Sequence, residues 1–458
     1  MRVTFQVAGA ARGARVLLQA TASPLPRKHL GFACSRGARA IARYYHLSHR
    51  RNSEARLDVG KWARTFSTSR DFSTIEVPSF AFAFDIDGVL LHVSKPIPGA
   101  AETLNFLNEH NVPFILLTNG GGKHETERVK DLSEKLGVPL TTDNFVQSHT
   151  PFQELVDGPN GLRDKTILVT GADAEKCRSI AERYGFRSVV TPADILAAEP
   201  AIWPFDPLLE TVYASTARPL PRPVYRPSPS SSPSSSPLLS STLKIDAIFV
   251  FNDPRDWALD IQLITDLLLS QGGHLGTYSR RNGDTSLPNC GWQGDGQPAL
   301  HFSNADLLWS TGYHLPRFGQ GAFQAAVAGV WRRVTGGHEL ARRAIGKPSG
   351  ETYRFAEGVL AAHRHEVLRG AGLHPRPAAL RSVYMVGDNP ESDVAGANAF
   401  RSEVGTEWRS VLVRTGVWDA NRRGEEALTG HFKPDVVVDD VKGAVRWALE
   451  REGWKGRF

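Results

Sequence analysis

Cysteine is scarce in this chain, with three residues among 458. The three, Cys34, Cys177 and Cys290, lie far apart, which gives neither a disulfide framework nor a cysteine–histidine zinc pattern. No stretch approaches the roughly 20 consecutive apolar residues that a membrane-spanning helix needs. We therefore expect neither a disulfide-stapled domain nor a transmembrane segment.

The common nucleotide-binding motifs are also missing. No Gly-x-x-x-x-Gly-Lys-Ser/Thr segment follows a strand-like run. Gly319-Gln320-Gly321 lacks both the third glycine and the preceding strand of a dinucleotide-binding fingerprint. The sequence therefore gives no support to a nucleotide-dependent enzyme of either kind.

Acidic residues are sparse in the first 73 positions. This segment holds fourteen of the 54 Lys and Arg but three of the 48 Asp and Glu, so the remainder of the chain is net negative. An Arg-rich, Ser-containing, acid-poor N-terminus is typical of an organellar import segment. A nucleic-acid-binding arm is the alternative, but basic and aromatic residues are not interleaved elsewhere, so we expect no nucleic-acid partner.

A processing signature favours import into mitochondria. Residues 64–73 resemble a two-step mitochondrial processing site, with cleavage after Thr65 and removal of an octapeptide that begins at Phe66. We interpret residues 1–73 as a mitochondrial targeting segment. The mature protein is expected to begin near Thr74 and to reside in the matrix.

The most informative stretch that is present is an apolar run, residues 80–84, which ends in Asp85 and Asp87. Residues two apart on a strand point to the same side, so both carboxylates would emerge together. Such a pair attracts a hard cation such as Mg²⁺ and could supply a nucleophile and a proton donor for phosphoryl transfer. A solvated Asp-Gly turn is the alternative; a calcium loop is disfavoured because apolar residues 89–91 follow.

Short apolar strands alternate with helix-like segments over the rest of the chain. The predicted strands are residues 113–117, 165–170, 247–251, 383–386, 411–416 and 436–438. This pattern favours an α/β fold with a parallel sheet covered on both faces. We expect a Rossmann-like core domain formed by 74–124 and 336–458, an inserted domain at 125–335, and a disordered Ser/Pro-rich insertion at 217–242.

Further polar residues follow the predicted strands, where the chemistry of parallel sheets is found. The candidates are Asp85 and Asp87 after the first strand, Thr118, Asn119 and Gly120 after the second, Lys347 between a glycine and a proline, and Asp388 and Asp393 after a late strand. Acids for a metal, a hydroxyl and amides for phosphate oxygens, and a lysine for the remaining charge form a phosphoryl-transfer set. Taken singly, each could instead be a loop, surface or helix-cap residue.

The order of these motifs resembles the haloacid dehalogenase-like hydrolase superfamily, and Asp-x-Asp-Gly-Val-Leu resembles its subfamily IIA, which includes nitrophenyl-phosphatase-type enzymes. The resemblance covers residues 80 to about 440. Segments 302–309 and 315–323 are most similar to a mitochondrial eukaryotic branch of that subfamily. It implies a Mg²⁺-dependent phosphatase that hydrolyses a small phosphorylated metabolite through an aspartyl phosphate.

The resemblance also implies a role for each residue. Asp85 would be the nucleophile, Asp87 the general acid and then base, Lys347 the neutralising charge, and Thr118 with the amides of Asn119 and Gly120 the phosphate-binding group. Mg²⁺ would be held by the Asp85 carboxylate, the Asp87 carbonyl and Asp388, with Asp393 supporting that shell.

The inserted domain resembles the α/β cap of this subfamily, of the C2 type, which closes over the substrate and excludes water. Asn304 and Asp306 would lie on its substrate-facing loop, although a turn that starts a helix is an equal alternative. The sequence leaves open whether the cap forms a homodimer.

Two other functions are alternatives. The first is a role in glycerophospholipid biosynthesis, as a phosphatase on a lipid precursor or as a CDP-alcohol phosphatidyltransferase. The transferase is disfavoured because neither its Asp-Gly-x-x-Ala-Arg motif nor a spanning segment is present. The second is a non-catalytic binding protein with the same fold, which would be expected to have lost Asp85, Asp87, Lys347 or Asp388, and all four are present.

Overall fold

The computed structural model of the protein describes residues 77–205, 207–227, 238–309, 311–372, 380–418, 424, 426, 428–456 and 458. The expected targeting segment, residues 1–73, lies outside this part of the chain, and so do residues 228–237 of the expected Ser/Pro-rich insertion. Within the described part, no helix combines the length and apolarity needed to cross a membrane.

Strands and helices alternate along the described chain. The strands are β1 (Phe80–Phe84), β2 (Leu91–His92), β3 (Lys95–Pro96), β4 (Phe114–Leu117), β5 (Phe145–Val146), β6 (Thr166–Thr170), β7 (Ser188–Val190), β8 (Ala247–Val250), β9 (Ala299–Phe302), β10 (Leu308–Trp309), β11 (Arg317–Phe318), β12 (Arg343–Ala344), β13 (Ser382–Gly387), β14 (Glu407–Val413) and β15 (Val436–Val438). The helices are α1 (Ala100–Glu109), α2 (Glu125–Leu136), α3 (Ala174–Tyr184), α4 (Pro192–Ala198), α5 (Glu210–Thr216), α6 (Trp257–Leu269), α7 (Gln320–Val334), α8 (Gly350–Gly370), α9 (Ala395–Ala399) and α10 (Val441–Arg451).

The first sheet has six parallel strands in the order β15-β14-β13-β1-β4-β5. Its central strand, β1, alternates phenylalanine and alanine and is completely buried. The phenylalanine rings pack with α1, α2 and α10 on one face, while Ala81 and Ala83 allow α8 to pack closely on the other. Helices on both faces explain why this strand contains no polar residue before Asp85.

The second sheet has five parallel strands in the order β12-β9-β8-β6-β7. Helices α4, α6 and α7 pack on one face, around Leu263, Leu267 and Trp331. Helix α3 packs on the other face, through Cys177 and Ile180. The expected α/β architecture with parallel sheets is therefore confirmed.

The limits of the second sheet differ from the expected span of 125–335. Helix α2 buries Val129 and Leu132 against the first sheet, and β5 pairs with β4 as its edge strand, so residues 125–146 complete a crossover of the first sheet. At the other end, β12 pairs with β9 and extends the second sheet to Ala344. By strand pairing, residues 125–146 therefore belong with the first sheet, and residues 343–344 belong with the second.

The flanks of the expected Ser/Pro-rich insertion, 217–242, pack beside the second sheet. Leu243 N donates to Pro223 O at 2.7 Å, and Tyr225 N donates to Leu275 O at 3.2 Å. Leu220 packs against the same apolar cluster. The flanks are therefore anchored by backbone bonds and apolar packing.

Candidate active site

Three adjacent strands of the first sheet deliver the polar candidates to one edge. Strand β1 lies between β13 and β4, with Phe84 opposite both Val386 and Leu116. Because the strands are parallel and in register, Asp85, Thr118 and Asp388 follow at the same edge of the sheet. All three are buried.

Lys347 joins two of the acids. Its Nζ lies 2.8 Å from Asp85 Oδ1 and 2.7 Å from Asp393 Oδ1, and only 1% of its side chain is exposed. Burial alone would lower the pKa of this ammonium group, but the carboxylates of Asp393 and Asp85 raise it above its ordinary value. Lys347 therefore carries a fixed positive charge at the base of the site.

Backbone amides hold the two late acids in place. Asp393 Oδ2 accepts from the amides of Asp388 at 3.1 Å and Asn389 at 3.0 Å, and Asp388 Oδ2 accepts from Val417 N at 2.6 Å. Burial, together with Asp85 and Asp393, raises the pKa of Asp388 well above its ordinary value. Burial also raises the pKa of Asp393 to about 6, and Lys347 opposes that rise.

The donor set fits a hard cation. One oxygen from each of Asp85, Asp388 and Asp393 lies within 4.8 Å of the others. Both oxygens of Asp393 already engage Lys347 or backbone amides. The contacts described for Asp85 and Asp388 use one oxygen of each, so these two carboxylates are better placed to ligate a cation. Ionisation of all three carboxylates against one lysine would leave an excess of buried negative charge that a cation could balance, and all-oxygen ligands suit Mg²⁺.

Glycine allows the turn after β1 to approach Asp388. Gly88 has φ +89°, and a Cβ built there would lie 2.3 Å from Asp388 Oδ2. Gly416 approaches the same oxygen from the loop after β14, where a Cβ would lie 1.8 Å away. Larger residues at either position would therefore displace the Asp388 carboxylate.

Asp87 lies at the open side of the site. Its side chain is 54% exposed, but its carboxyl lies in a cleft crowded by protein atoms, and that crowding, with the charge of Asp85, raises its pKa. Arg128 of α2, which the sequence analysis did not single out, places Nη2 4.0 Å from Asp87 Oδ2 and opposes the rise. The signal that could have found it is an arginine on the helix that follows the glycine-rich loop, residues 120–122.

Thr118 and Gly120 lie together at the end of β4. Thr118 Oγ1 accepts a hydrogen bond from Gly120 N at 3.0 Å, and a Cβ on Gly120 would lie 3.8 Å from Asp87 Oδ2. Both residues therefore border the space next to Asp87. The Gly120 amide, which we expected to hold a phosphoryl oxygen, is engaged by the Thr118 hydroxyl here.

Asn119 connects the two sheets. Its side chain accepts from Lys347 N at 2.7 Å and donates to Lys347 O at 2.8 Å and to Asp306 Oδ2 at 3.0 Å. Asn304 Nδ2 donates to Asn119 O at 3.1 Å. Burial raises the pKa of Asp306 to about 7, which the Asn119 hydrogen bond and Lys347 oppose. The loop that carries Asn304 and Asp306 is thus brought to the site.

A second buried polar network, missed by the sequence analysis, lies behind the glycine-rich loop. Glu125 accepts hydrogen bonds from Tyr184 OH and, at 2.7 Å, from Thr150 Oγ1. Tyr184 OH lies 2.7 Å from His149 Nδ1, and His149 Nε2 accepts from Gly122 N at 3.4 Å. The chain of contacts joins α2 to α3 of the second sheet. Its members are far apart in sequence, so no local motif marks them.

Comparison with known proteins identifies the family. A family model described as haloacid dehalogenase-like hydrolase matches residues 82–187, and one described as HAD-hydrolase-like matches residues 344–444. A mitochondrial hydrolase of Saccharomyces cerevisiae is 37% identical over 383 residues, which cover 81% of this chain and 96% of that protein.

A fusion of cardiolipin synthase and mitochondrial hydrolase from Schizosaccharomyces pombe is 36% identical over 84% of this chain, and the match spans 56% of the fusion protein. The crystal structure of a 4-nitrophenylphosphatase from Thermotoga maritima has 17% identity and a TM-score of 0.46, over 80% of this chain and 96% of that one. On the sequence match to the Saccharomyces relative, which spans nearly its whole length, this chain belongs to the haloacid dehalogenase-like hydrolase family.

Proposed function

We propose that the protein is a mitochondrial, Mg²⁺-dependent phosphatase that hydrolyses small phosphate monoesters through an aspartyl phosphate. The observation that carries the proposal is the buried Lys347 ammonium held between Asp85 and Asp393, with Asp388 beside them. A buried cluster of three acids and one lysine is costly to fold, and ionisable groups in such clusters are concentrated at functional sites. The S. cerevisiae relative, named as a mitochondrial hydrolase, supports the mitochondrial compartment. Within it, we propose the matrix.

The reaction would proceed in two steps on these residues. Asp85 attacks phosphorus, so that a new P–O bond forms as the ester P–O bond breaks, and Asp87 gives its proton to the departing alkoxide. Asp87, now ionised, then takes a proton from water, which attacks the phosphoryl group and releases Asp85. Lys347 balances the charge of Asp85 and of the transferred group throughout.

A Mg²⁺ ion bound by Asp85, Asp388 and the Asp87 carbonyl would supply charge stabilisation to the phosphoryl oxygens. Asp393 would orient the residues that hold the ion and the phosphoryl group, since it contacts both Lys347 and the backbone amides of residues 388 and 389. The raised pKa of Asp87 favours the protonated form that a proton donor needs.

The second sheet would act as the cap. Asn304 and Asp306 reach Asn119 across the cleft, and Asn119 in turn holds the backbone of Lys347. Movement of the cap would therefore be coupled to the position of the catalytic lysine. A closed cap would exclude water from the first step.

The direct test is phosphate release by protein beginning at Thr74, with and without Mg²⁺, across a panel of phosphorylated metabolites and 4-nitrophenyl phosphate. The Asp85→Asn variant removes the proposed nucleophile at nearly constant volume. We expect Mg²⁺-dependent release that falls at least about a thousandfold in this variant. Equal release by both proteins, or release independent of Mg²⁺, would contradict the proposal.

A lipid-linked phosphate ester is the second candidate substrate. The hairpin formed by β10 and β11 follows Asp306 directly and exposes apolar side chains next to the site. They are Leu307, Trp309, Tyr313, Leu315 and Phe318. The relative fused to a cardiolipin synthase favours the same chemistry. The panel should therefore include phosphatidic acid and phosphatidylglycerol phosphate in mixed micelles; turnover of these alone would favour the lipid substrate over a soluble metabolite.

A further inference from the structure

We propose that Arg128 is a specificity-determining residue that selects substrates with a second anionic group, a carboxylate or a further phosphate, on the leaving-group side of the ester. The inference rests on the proposed function and deepens it. It concerns a residue to which neither the sequence motifs nor the family resemblance gave a role.

Arg128 lies where the leaving group must be. Asp87 is the proton donor to the departing oxygen, so the leaving group extends from the scissile bond past Asp87. The Arg128 guanidinium is 4.0 Å from Asp87 Oδ2, and its side chain is 22% exposed, so it faces the cleft without being sealed by protein. A carboxylate or phosphate beside Asp87 would come within reach of its donors.

Asp131 of the same helix holds the Arg128 side chain in position. Arg128 Nη1 donates to Asp131 Oδ2 at 3.4 Å, one turn further along α2. A second nitrogen, Nη2, points to Asp87. A guanidinium has five donors in a planar fork and can grip a carboxylate or phosphate through two of them. The contact with Asp131 therefore orients the fork and still leaves donors for a ligand.

The charge around Arg128 favours an anion. Asp131 is shared among three cations, with Lys123 Nζ at 3.5 Å and Lys135 Nζ at 3.0 Å in addition to Arg128. The positive charge of Lys135 also reaches Asp87. Hairpin β2–β3, which carries Lys95, packs beside the same helix. Around Asp131, three cations therefore face one carboxylate, whereas the base of the cleft is acidic.

A purely structural role makes a different prediction. If Arg128 acted only through Asp87, by opposing the rise of its pKa, then its loss would alter the pH profile of every substrate equally. A residue that binds the leaving group instead changes the ratio between a charged and an uncharged substrate. The ratio separates the two roles.

The test compares two esters that differ in one group. D-3-phosphoglycerate and sn-glycerol 3-phosphate share the ester and the neighbouring hydroxyl, but the first ends in a carboxylate and the second in a hydroxymethyl group. We would measure kcat/KM for both, from pH 5 to 9, for the wild type, for Arg128→Gln and for Lys130→Gln. Lys130 is an exposed lysine on the same helix, so its variant controls for the loss of one positive charge.

We expect the wild type and Lys130→Gln to prefer phosphoglycerate by about 10- to 100-fold, the value of a charge-assisted hydrogen-bonded pair. In Arg128→Gln this ratio should fall towards one, mainly through a higher KM for phosphoglycerate. A wild-type ratio near one, or a ratio that survives in Arg128→Gln, would overturn the inference.

Hydrolysis of 4-nitrophenyl phosphate tests the phosphatase activity separately from the role of Arg128 in specificity. If this ester is hydrolysed but the two glycerol derivatives are treated alike, the specificity inference fails while the phosphatase stands. If no ester is hydrolysed, both fail. Calorimetric binding of the two glycerol derivatives to Asp85→Asn gives a readout without turnover, and equal affinities there would also contradict the role of Arg128.

Discussion

Lys347 sets the charge balance of the site. Its ammonium is the buried cation that contacts Asp85 and Asp393, while Asp388 lies close to both acids. Replacing one partner of a buried ion pair leaves the other charge uncompensated, which costs more than the pair itself contributes. The consequence should be visible in stability as well as in activity.

We predict that Lys347→Met lowers the free energy of unfolding by about 3–5 kcal/mol without Mg²⁺ and abolishes measurable turnover. Added Mg²⁺ should restore part of this loss, because a cation that binds only the folded state compensates the same carboxylates. Denaturant unfolding with and without Mg²⁺ measures both effects. Lys130→Met is the matched control, and a Lys347→Met protein as stable as that control would refute the charge argument.

Gly88 tests the position of Asp388. We predict that Gly88→Ala weakens Mg²⁺ binding at least about tenfold, because the added Cβ would lie 2.3 Å from Asp388 Oδ2 and the residue has φ +89°. Gly137→Ala shares the positive φ, +64°, but its Cβ meets no atom within 4 Å. Calorimetric titration with Mg²⁺ compares the two, and equal affinities would argue against Asp388 as a ligand.

At the scale of elements, the contact between α2 and α3 depends on buried polar groups. Gly122 N donates to His149 Nε2, so His149 Nδ1 carries the proton and donates to Tyr184, whose hydroxyl donates to Glu125. Burial lowers the pKa of His149 to about 4, which Glu125 opposes. A protonated His149 could no longer accept the hydrogen bond from Gly122 N, so the contact between α2 and α3 favours the neutral histidine.

The lowered pKa of His149 makes the free energy of unfolding depend on pH. Between pH 6.5 and about 4 the unfolded chain binds a proton at His149 that the folded chain does not, so stability falls as the pH falls through this window. The difference amounts to at most about 3 kcal/mol. We predict that His149→Gln flattens this part of the stability profile, measured by urea unfolding from pH 4 to 7.5. Exposed His314→Gln should retain the wild-type slope, and an unchanged slope in His149→Gln would exclude the network as its source.

At the scale of the whole molecule, the fold and the acids at the base of the site were predictable because their signals are local. The buried phenylalanine–alanine strand that ends at Asp85 and the strand that ends before Asp388 each occupy a few consecutive residues. Parallel pairing then brings Asp85, Thr118 and Asp388 to the same edge.

Other features could not be predicted because they depend on contacts across long stretches of chain. Arg128 meets Asp87 only when α2 packs on the first sheet, and Glu125 meets Tyr184 only when the two sheets come together. The assignment of β5 and β12 to different sheets depends on pairing that two-residue strands do not encode by themselves.

The central claim is that Asp85 accepts the phosphoryl group, and trapping that intermediate tests it most directly. The Asp87→Asn variant with ³²P-labelled 4-nitrophenyl phosphate is suited to this, since 4-nitrophenolate leaves without a proton donor whereas water still needs a base. After acid quenching, we predict hydroxylamine-labile label on the peptide that contains Asp85, and none in Asp85→Asn. Turnover by the wild type with no covalent label in either protein, or label on another residue, would contradict the account.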